Sequence, residues 1–150
     1  MTIPTHIIAG VVVGSITGNV PLAITVSIAP DLDHLISLAH HGGLRNIQTF
    51  FKMTTDREDP WGDQRGLLHN LLVYIGIIGV IYLLIPEYAL IIGTSYGVHI
   101  LLDAFDNSVY YPLYPSKRYS IRGPIAYYSR SELYFTSVVL FLFLAITVIY

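Results

Sequence analysis

The sequence contains no cysteine. Disulfides and thiolate zinc sites are therefore excluded, and any metal must be held by imidazole and carboxylate groups. Charge is scarce as well. Charged residues make up 12% of the chain and hydrophobic residues 53%, where a soluble domain carries roughly a quarter charged residues. A water-facing surface cannot be covered with so little charge, so lipid is the expected solvent. A basic excess is also missing: the net charge is −2, and nucleic acid is not expected as a partner. The N-terminal Met1-Thr2-Ile3-Pro4-Thr5-His6 lacks the basic region and cleavage site of a secretory signal and reads as the start of the mature protein. The 150 residues fit a single domain, 1–150.

What is present is five apolar stretches. They run from about Ile7 to Ile16, Pro21 to Leu38, Gly66 to Ile85, Tyr88 to Phe105 and Leu133 to Tyr150. A membrane-crossing helix needs about 20 apolar residues for about 30 Å of hydrocarbon. The last three stretches meet that length; the first two are short and polar at their ends. Since an open sheet cannot span lipid, the predicted class is all-α, a polytopic membrane helix bundle of about five helices, the first two short. A short amphipathic helix is expected from Leu44 to about Met53. The segment from Asn107 to Ser131 is rich in Tyr and Pro and shows no clear period.

All eight Lys and Arg lie in the two long loops. Arg45, Lys52, Arg57 and Arg65 are in one; Lys117, Arg118, Arg122 and Arg130 are in the other. With five crossings both loops share a face with the N-terminus, and the positive-inside rule places that face in the cytoplasm. The chain is thus expected to be an integral protein of the cell membrane.

Ionisable groups at membrane depth are costly and mark function. Here they are His6, Asp31, Asp33, His34, His69, His99 and Asp103. On this topology His6 opens the first helix, Asp31 to His34 end the second, His69 lies one turn into the third, and His99 and Asp103 close the fourth. Four helices bring ligand-type side chains to one layer near the cytoplasmic ends. His99 and Asp103 are four apart, and Asp31 and His34 three apart, so each pair shares a helix face. Asp33 points elsewhere, to serve a second metal or to hold a histidine. A lone His99 would read as a hydrogen-bonded core residue, and His40 and His41 read as solvated loop residues. The joint set reads as a metal site built from facing helices.

These residues resemble the membrane-bound metal-dependent hydrolases, including the type called LexA-regulated. The similar stretches are Thr5-His6-Ile7-Ile8-Ala9-Gly10, Pro30-Asp31-Leu32-Asp33-His34, Arg65-Gly66-Leu67-Leu68-His69, Gly97-Val98-His99-Ile100-Leu101-Leu102-Asp103, and the basic Tyr111 to Arg118 segment. The likeness runs to about residue 122. It departs at Gln64, where the family usually has histidine, and at Ala104-Phe105-Asp106-Asn107, where the family tends toward Thr-Pro-x-Gly. Asp106 is then an added ligand or a helix-end residue. A more distant similarity is to the zinc-dependent phospholipase C group.

The resemblance implies a zinc-type hydrolase that cleaves a phosphoester of a lipid or other membrane-proximal substrate. One or two divalent ions, zinc first and manganese second, would be held by His6, Asp31, His34, His69, His99 and Asp103, and would activate a water. Asp33 is expected as general base or bridging ligand. Arg65 is expected to act on the phosphate at the catalytic site, and Lys117, Arg118 and Arg122 to bind it. The alternatives are a small metal or proton transporter using the same layer, or a non-catalytic scaffold locked by it. Membrane lipid is the expected neighbour.

Overall fold

A computed structural model describes residues 1–55 and 65–149, the side chains of 146–149 excepted. Gln64, whose place in the third motif was in question, lies outside the described residues, as do Arg57 and Tyr150. Among the described residues the regular structure is all helical: α1 (Ile3–Thr17), α2 (Val20–Ile28), α3 (Leu32–His40), α4 (Ile47–Thr54), α5 (Leu71–Leu84), α6 (Pro86–Phe105) and α7 (Arg130–Ile149). Two 3₁₀ turns, Ala29–Asp31 and Leu67–His69, complete it. Five apolar elements form the bundle, because α2, the first 3₁₀ turn and α3 run on as one bent rod. That rod, Val20–His40, and α6 are long and apolar enough to cross a membrane, whereas α1 and α5 are apolar but shorter. The second stretch, expected to be short, thus reaches the length, and the third, expected to reach it, falls short because α5 starts only at Leu71.

α1 and α2 form a tight hairpin. Pro4 sits in the first turn of α1, where its missing N–H costs nothing. Gly18 ends the helix in the left-handed region at φ 87°, and the Asn19 side chain caps α2 by accepting from the Leu22 N–H at 3.1 Å. The two helices approach closely through Gly10 and Gly14, four residues apart. A Cβ on Gly10 would lie 2.7 Å from Ile24 Cα, and one on Gly14 2.4 Å from Val20 Cα. This is the small-residue spacing by which helices pack in lipid, where apolar burial between helices gives little drive.

The polarity of the molecule is inverted relative to a soluble protein. Ile16 and Leu83 are each 79% exposed and Phe141 is 70% exposed, whereas His6, His69 and His99 are fully buried. An apolar outer surface around a polar interior is the arrangement a bilayer selects.

Two differences from the sequence expectation matter for the site. Helix α5 begins at Leu71 rather than near Gly66, because Asn70 is extended (φ −80°, ψ 127°) and its side chain caps the Leu72 and Val73 N–H groups. His69 is therefore not one turn inside a helix; it ends the 3₁₀ turn before it. The second apolar stretch is likewise interrupted at Ala29–Asp31, where Pro30 enters the turn. The segment after α6 folds back through isolated bridges between Asp106 and Ile125 and between Tyr110 and Ile121. It brings Gly123 so near Phe105 that a Cβ there would meet the Phe105 carbonyl carbon at 2.1 Å. Glu132, at the start of α7, accepts from the Thr5 hydroxyl at 3.0 Å, and Thr5 pairs with Thr136 at 2.8 Å. These contacts tie α7 to α1 beside His6.

Candidate metal centre

The first turn of α1, the 3₁₀ turn with the start of α3, the turn before α5 and the last turns of α6 meet at one end of the bundle. Each delivers one part of the cluster. His6 Nε2 lies 3.3 Å from Asp103 Oδ1, and the His6 and His99 rings stack with centroids 3.9 Å apart. His69 Nε2 lies 3.2 Å from Asp103 Oδ2 and 3.1 Å from His99 Nε2. Asp31 Oδ1 lies 3.8 Å from His99 Nε2 and 3.6 Å from His34 Nε2. Three overlapping groups can each hold a metal ion: His6, Asp31 and His99; Asp31, His34 and His69; His69, His99 and Asp103. All six residues expected to bind metal are thus brought together.

The outer nitrogens decide what the inner ones present. His99 Nδ1 donates to the Ser27 carbonyl at 2.7 Å, and a carbonyl can only accept. In neutral His99 the proton is therefore on Nδ1 and the lone pair on Nε2. His69 Nδ1 lies 3.2 Å from Asp33 Oδ2, the oxygen that also accepts the Leu68 N–H at 2.7 Å. His69 thus stands between two carboxylates, Asp33 at Nδ1 and Asp103 at Nε2, each at 3.2 Å. The Nε2 atoms of His69 and His99 face each other across 3.1 Å, a contact made either by a proton on His69 Nε2 or by a metal ion between them. Two ligands about 2.0–2.1 Å from a tetrahedral zinc stand about 3.3–3.4 Å apart, so the spacing fits. Several inward atoms lack a hydrogen-bond partner though buried, namely both ring nitrogens of His6, Asp31 Oδ2 and His34 Nε2. Buried polar atoms are normally satisfied, and a divalent ion is the kind of group this donor set would accept.

The turn carrying His69 is clamped from behind. The Tyr96 hydroxyl donates to the Leu68 carbonyl and the Tyr110 hydroxyl to the His69 carbonyl. Burial, with Asp103 nearby, pushes the Tyr110 hydroxyl up to about 12, so it stays a donor across the biological range.

Asp33 is buried against the His69 turn, where it orients His69; the sequence leaves a choice between that role and a second metal. Arg65 Nε donates to Asp103 Oδ2 at 3.1 Å, and Arg65 Nη2 lies 3.4 Å from Asp106 Oδ2. The Met1 ammonium lies against Asp103 and 3.3 Å from Asp106 Oδ2. Burial raises the Asp106 carboxyl, but the ammonium, Arg65 and two hydrogen bonds from Ser108 outweigh it and hold the group below its usual range. Asp106 thus sits at the edge of the cluster among cations. The sequence offers one signal for it, its position three residues after Asp103; Ser27 gives none, since it contributes a carbonyl and any residue could.

Lys117, Arg118 and Arg122 are exposed on the 106–129 segment. Lys117 lies 5.5 Å from the Tyr111 ring centroid and Arg118 5.5 Å from that of Tyr119, while Arg122 Nε donates to the Asn107 carbonyl at 2.6 Å. None of these described contacts reaches the histidines. His40 and His41 pack edge to face at 5.0 Å at the far end of α3, away from the cluster.

Comparison with curated proteins and with solved structures finds no match. The profile of one family does match, over residues 1–150. With its apolar exterior and its polar centre at one end of the bundle, this chain belongs to the YdjM inner membrane protein family.

Proposed function

We propose that this protein is a membrane-embedded, metal-dependent hydrolase that cleaves a phosphoester of a lipid or other membrane-proximal substrate. The observation that carries the reading is the facing pair of Nε2 atoms on His69 and His99, 3.1 Å apart, each turned inward by an acceptor at its own Nδ1. His6, Asp31, His34 and Asp103 complete the donor set, which suits zinc or manganese in one or two positions. A divalent ion bound there supplies a water of lowered pKa and a Lewis acid for the phosphoryl oxygen.

The chain's own residues do the rest. Ser27 holds His99 in its binding tautomer, and Asp33 fixes the orientation of the His69 ring. Arg65, 10% exposed, pairs with Asp103 and stands at the edge of the centre, where its positive charge favours a phosphate bound beside it. Lys117, Arg118 and Arg122 give the covering segment a positive charge that attracts an anionic headgroup. By the distribution of its Lys and Arg, this end of the bundle faces the cytoplasm.

The test is metal analysis of protein purified in detergent, together with turnover on a panel of phospholipids and isoprenoid phosphates. The wild type should carry zinc or manganese and release phosphate or a headgroup. His99→Ala and Asp103→Ala should lose most of the metal, and His40→Ala and His41→Ala none. Equal metal in all four variants would sink the centre as drawn. Metal uptake into vesicles that depends on His99, without hydrolysis of any panel member, would make the protein a transporter. Neither activity would leave a scaffold.

A further inference from the structure

Beside the metal-ligating cluster lies a cavity of about 280 Å³, walled mainly by Ile28, Leu32, Leu35 and Leu38, with Asp31 and His34 at its polar end. A cavity of about 150 Å³ lined by aliphatic side chains holds a benzene ring, so this one has room for a short run of alkyl carbons. Most of the lining belongs to the α2–α3 rod, and Met1, Ile3 and Tyr127 close the other side. Leu32 is 53% and Leu35 45% exposed, whereas Leu38 is buried. The exposed sides of Leu32 and Leu35 leave the cavity open onto the apolar outer surface of the rod.

At the inner end the character changes within one helical turn. Asp31 Oδ2 and His34 Nε2 are buried there without hydrogen-bond partners, and both residues belong to a group that can hold a metal. An apolar slot open to the bilayer that ends on metal-binding side chains matches one kind of molecule. It is an amphiphile with an alkyl or prenyl tail joined directly to an anionic head.

We propose that this cavity is the tail subsite of the enzyme, so that the substrate is a tailed phosphoester entering laterally from the membrane. The inference rests on the hydrolase reading above and deepens it. The tail segment next to the head occupies the slot, the remainder stays in the bilayer, and a water-soluble phosphoester reaches the same centre without using the slot. Leu35 and Leu38 then set tail selectivity without touching the reacting atoms. A branched prenyl phosphate and a straight alkyl phosphate share this chemistry and are separated by experiment.

Two measurements test it. In the first, wild-type protein in nanodiscs is photolabelled with an alkyl phosphate carrying a diazirine near its head, and the label is mapped. Labelling should fall on the lining of the slot, residues 28–38 with Met1, Ile3 and Tyr127, and be competed by unlabelled alkyl or prenyl phosphate, the stronger competitor identifying the tail. Labelling spread over the lipid-facing surface, with no competition, would overturn the tail subsite.

In the second, Leu35→Trp and Leu38→Trp narrow the slot, with Leu83→Trp on the lipid face of α5 as control. Turnover of a long-tailed phosphate should fall at least tenfold in both slot variants, with turnover of a soluble aryl phosphate and metal content unchanged. Leu35 is half exposed, so its variant serves even where Leu38→Trp fails to fold. Unchanged long-tail turnover in Leu35→Trp would overturn the inference and leave the hydrolase standing. Competed labelling of the slot lining in a protein that hydrolyses no phosphoester would do the reverse.

Discussion

Asp33 and His99 show how much of the centre is decided by atoms that never touch its middle. His99 leans on the carbonyl of Ser27, and His69 on the carboxylate of Asp33. Removing such a support typically weakens metal affinity about 10–100-fold, because the ring is freed to rotate and the wrong nitrogen can take the proton. Asp33→Asn is therefore expected to bind zinc about 10–100-fold more weakly than the wild type, with its fold intact by circular dichroism. His99→Ala, which deletes a donor atom, should bind almost none. Titration against a chelating indicator separates the two. Should Asp33→Asn hold metal as tightly as the wild type yet lose turnover, Asp33 would be the general base that its sequence position suggests, not a support for His69.

Among the elements, the α1–α2 hairpin sets the depth at which His6 and the Asp31 turn meet. Its close approach depends on Gly10 and Gly14, since any Cβ at Gly14 would collide with the backbone of Val20. Backbone cannot step aside as a flexible side chain can. Gly14→Ala should destabilise the protein by about 1–3 kcal/mol, the usual cost of forcing an extra group into a packed site. At Gly76 and Gly79 on α5, a Cβ would meet nothing within 4 Å. Alanine there should be neutral or stabilising by up to about 1 kcal/mol, through helix propensity alone. Thermal unfolding in detergent distinguishes these outcomes, and equal midpoints for Gly14→Ala and Gly76→Ala would refute the close contact. The hairpin also explains why a short α1 is sufficient: it needs to reach only the polar layer and the neighbouring helix, with α7 fastened to it through Glu132, Thr5 and Thr136.

For the molecule as a whole, the lack of cysteine makes orientation easy to measure. Ser116 lies in the long segment after α6 and Glu87 in the first turn of α6, both exposed. Single Ser116→Cys and Glu87→Cys variants have no background thiol. With the centre on the cytoplasmic side, a membrane-impermeant maleimide applied to intact cells should label Glu87→Cys and spare Ser116→Cys until the cells are opened. The opposite pattern would turn the bundle over and place the centre outside, with its internal geometry unchanged. The asymmetry behind this expectation is strong: the described turns at Gly18-Asn19 and Ile85-Pro86 carry no Lys or Arg, while all eight fall in the sequence segments 45–65 and 117–130.

The apolar runs, their number and the alternation of turns were legible in the sequence because helix formation in lipid is a local matter. Each backbone must satisfy its own hydrogen bonds, and length and composition decide that. The gathering of His6, Asp31, His34, His69, His99 and Asp103 at one end followed from the same reasoning, since alternating helices bring every second turn to the same side. The start of α5 lies several residues later than the apolar pattern places it, because a capping Asn70 and an apolar 3₁₀ turn look like helix to a hydropathy pattern. Other features depended on how separate elements pack. They include the carbonyl of Ser27 behind His99, the turn of Asp33 toward His69 rather than the middle of the cluster, and the pairing of Arg65 with Asp103 and Asp106. Those contacts join residues 36 to 72 positions apart, and no local period encodes them. The hydrocarbon thickness and the chain's own polarity determined which end of each helix is polar; only the tertiary packing decided which nitrogen of each histidine faces inward, because that depends on the acceptor behind it.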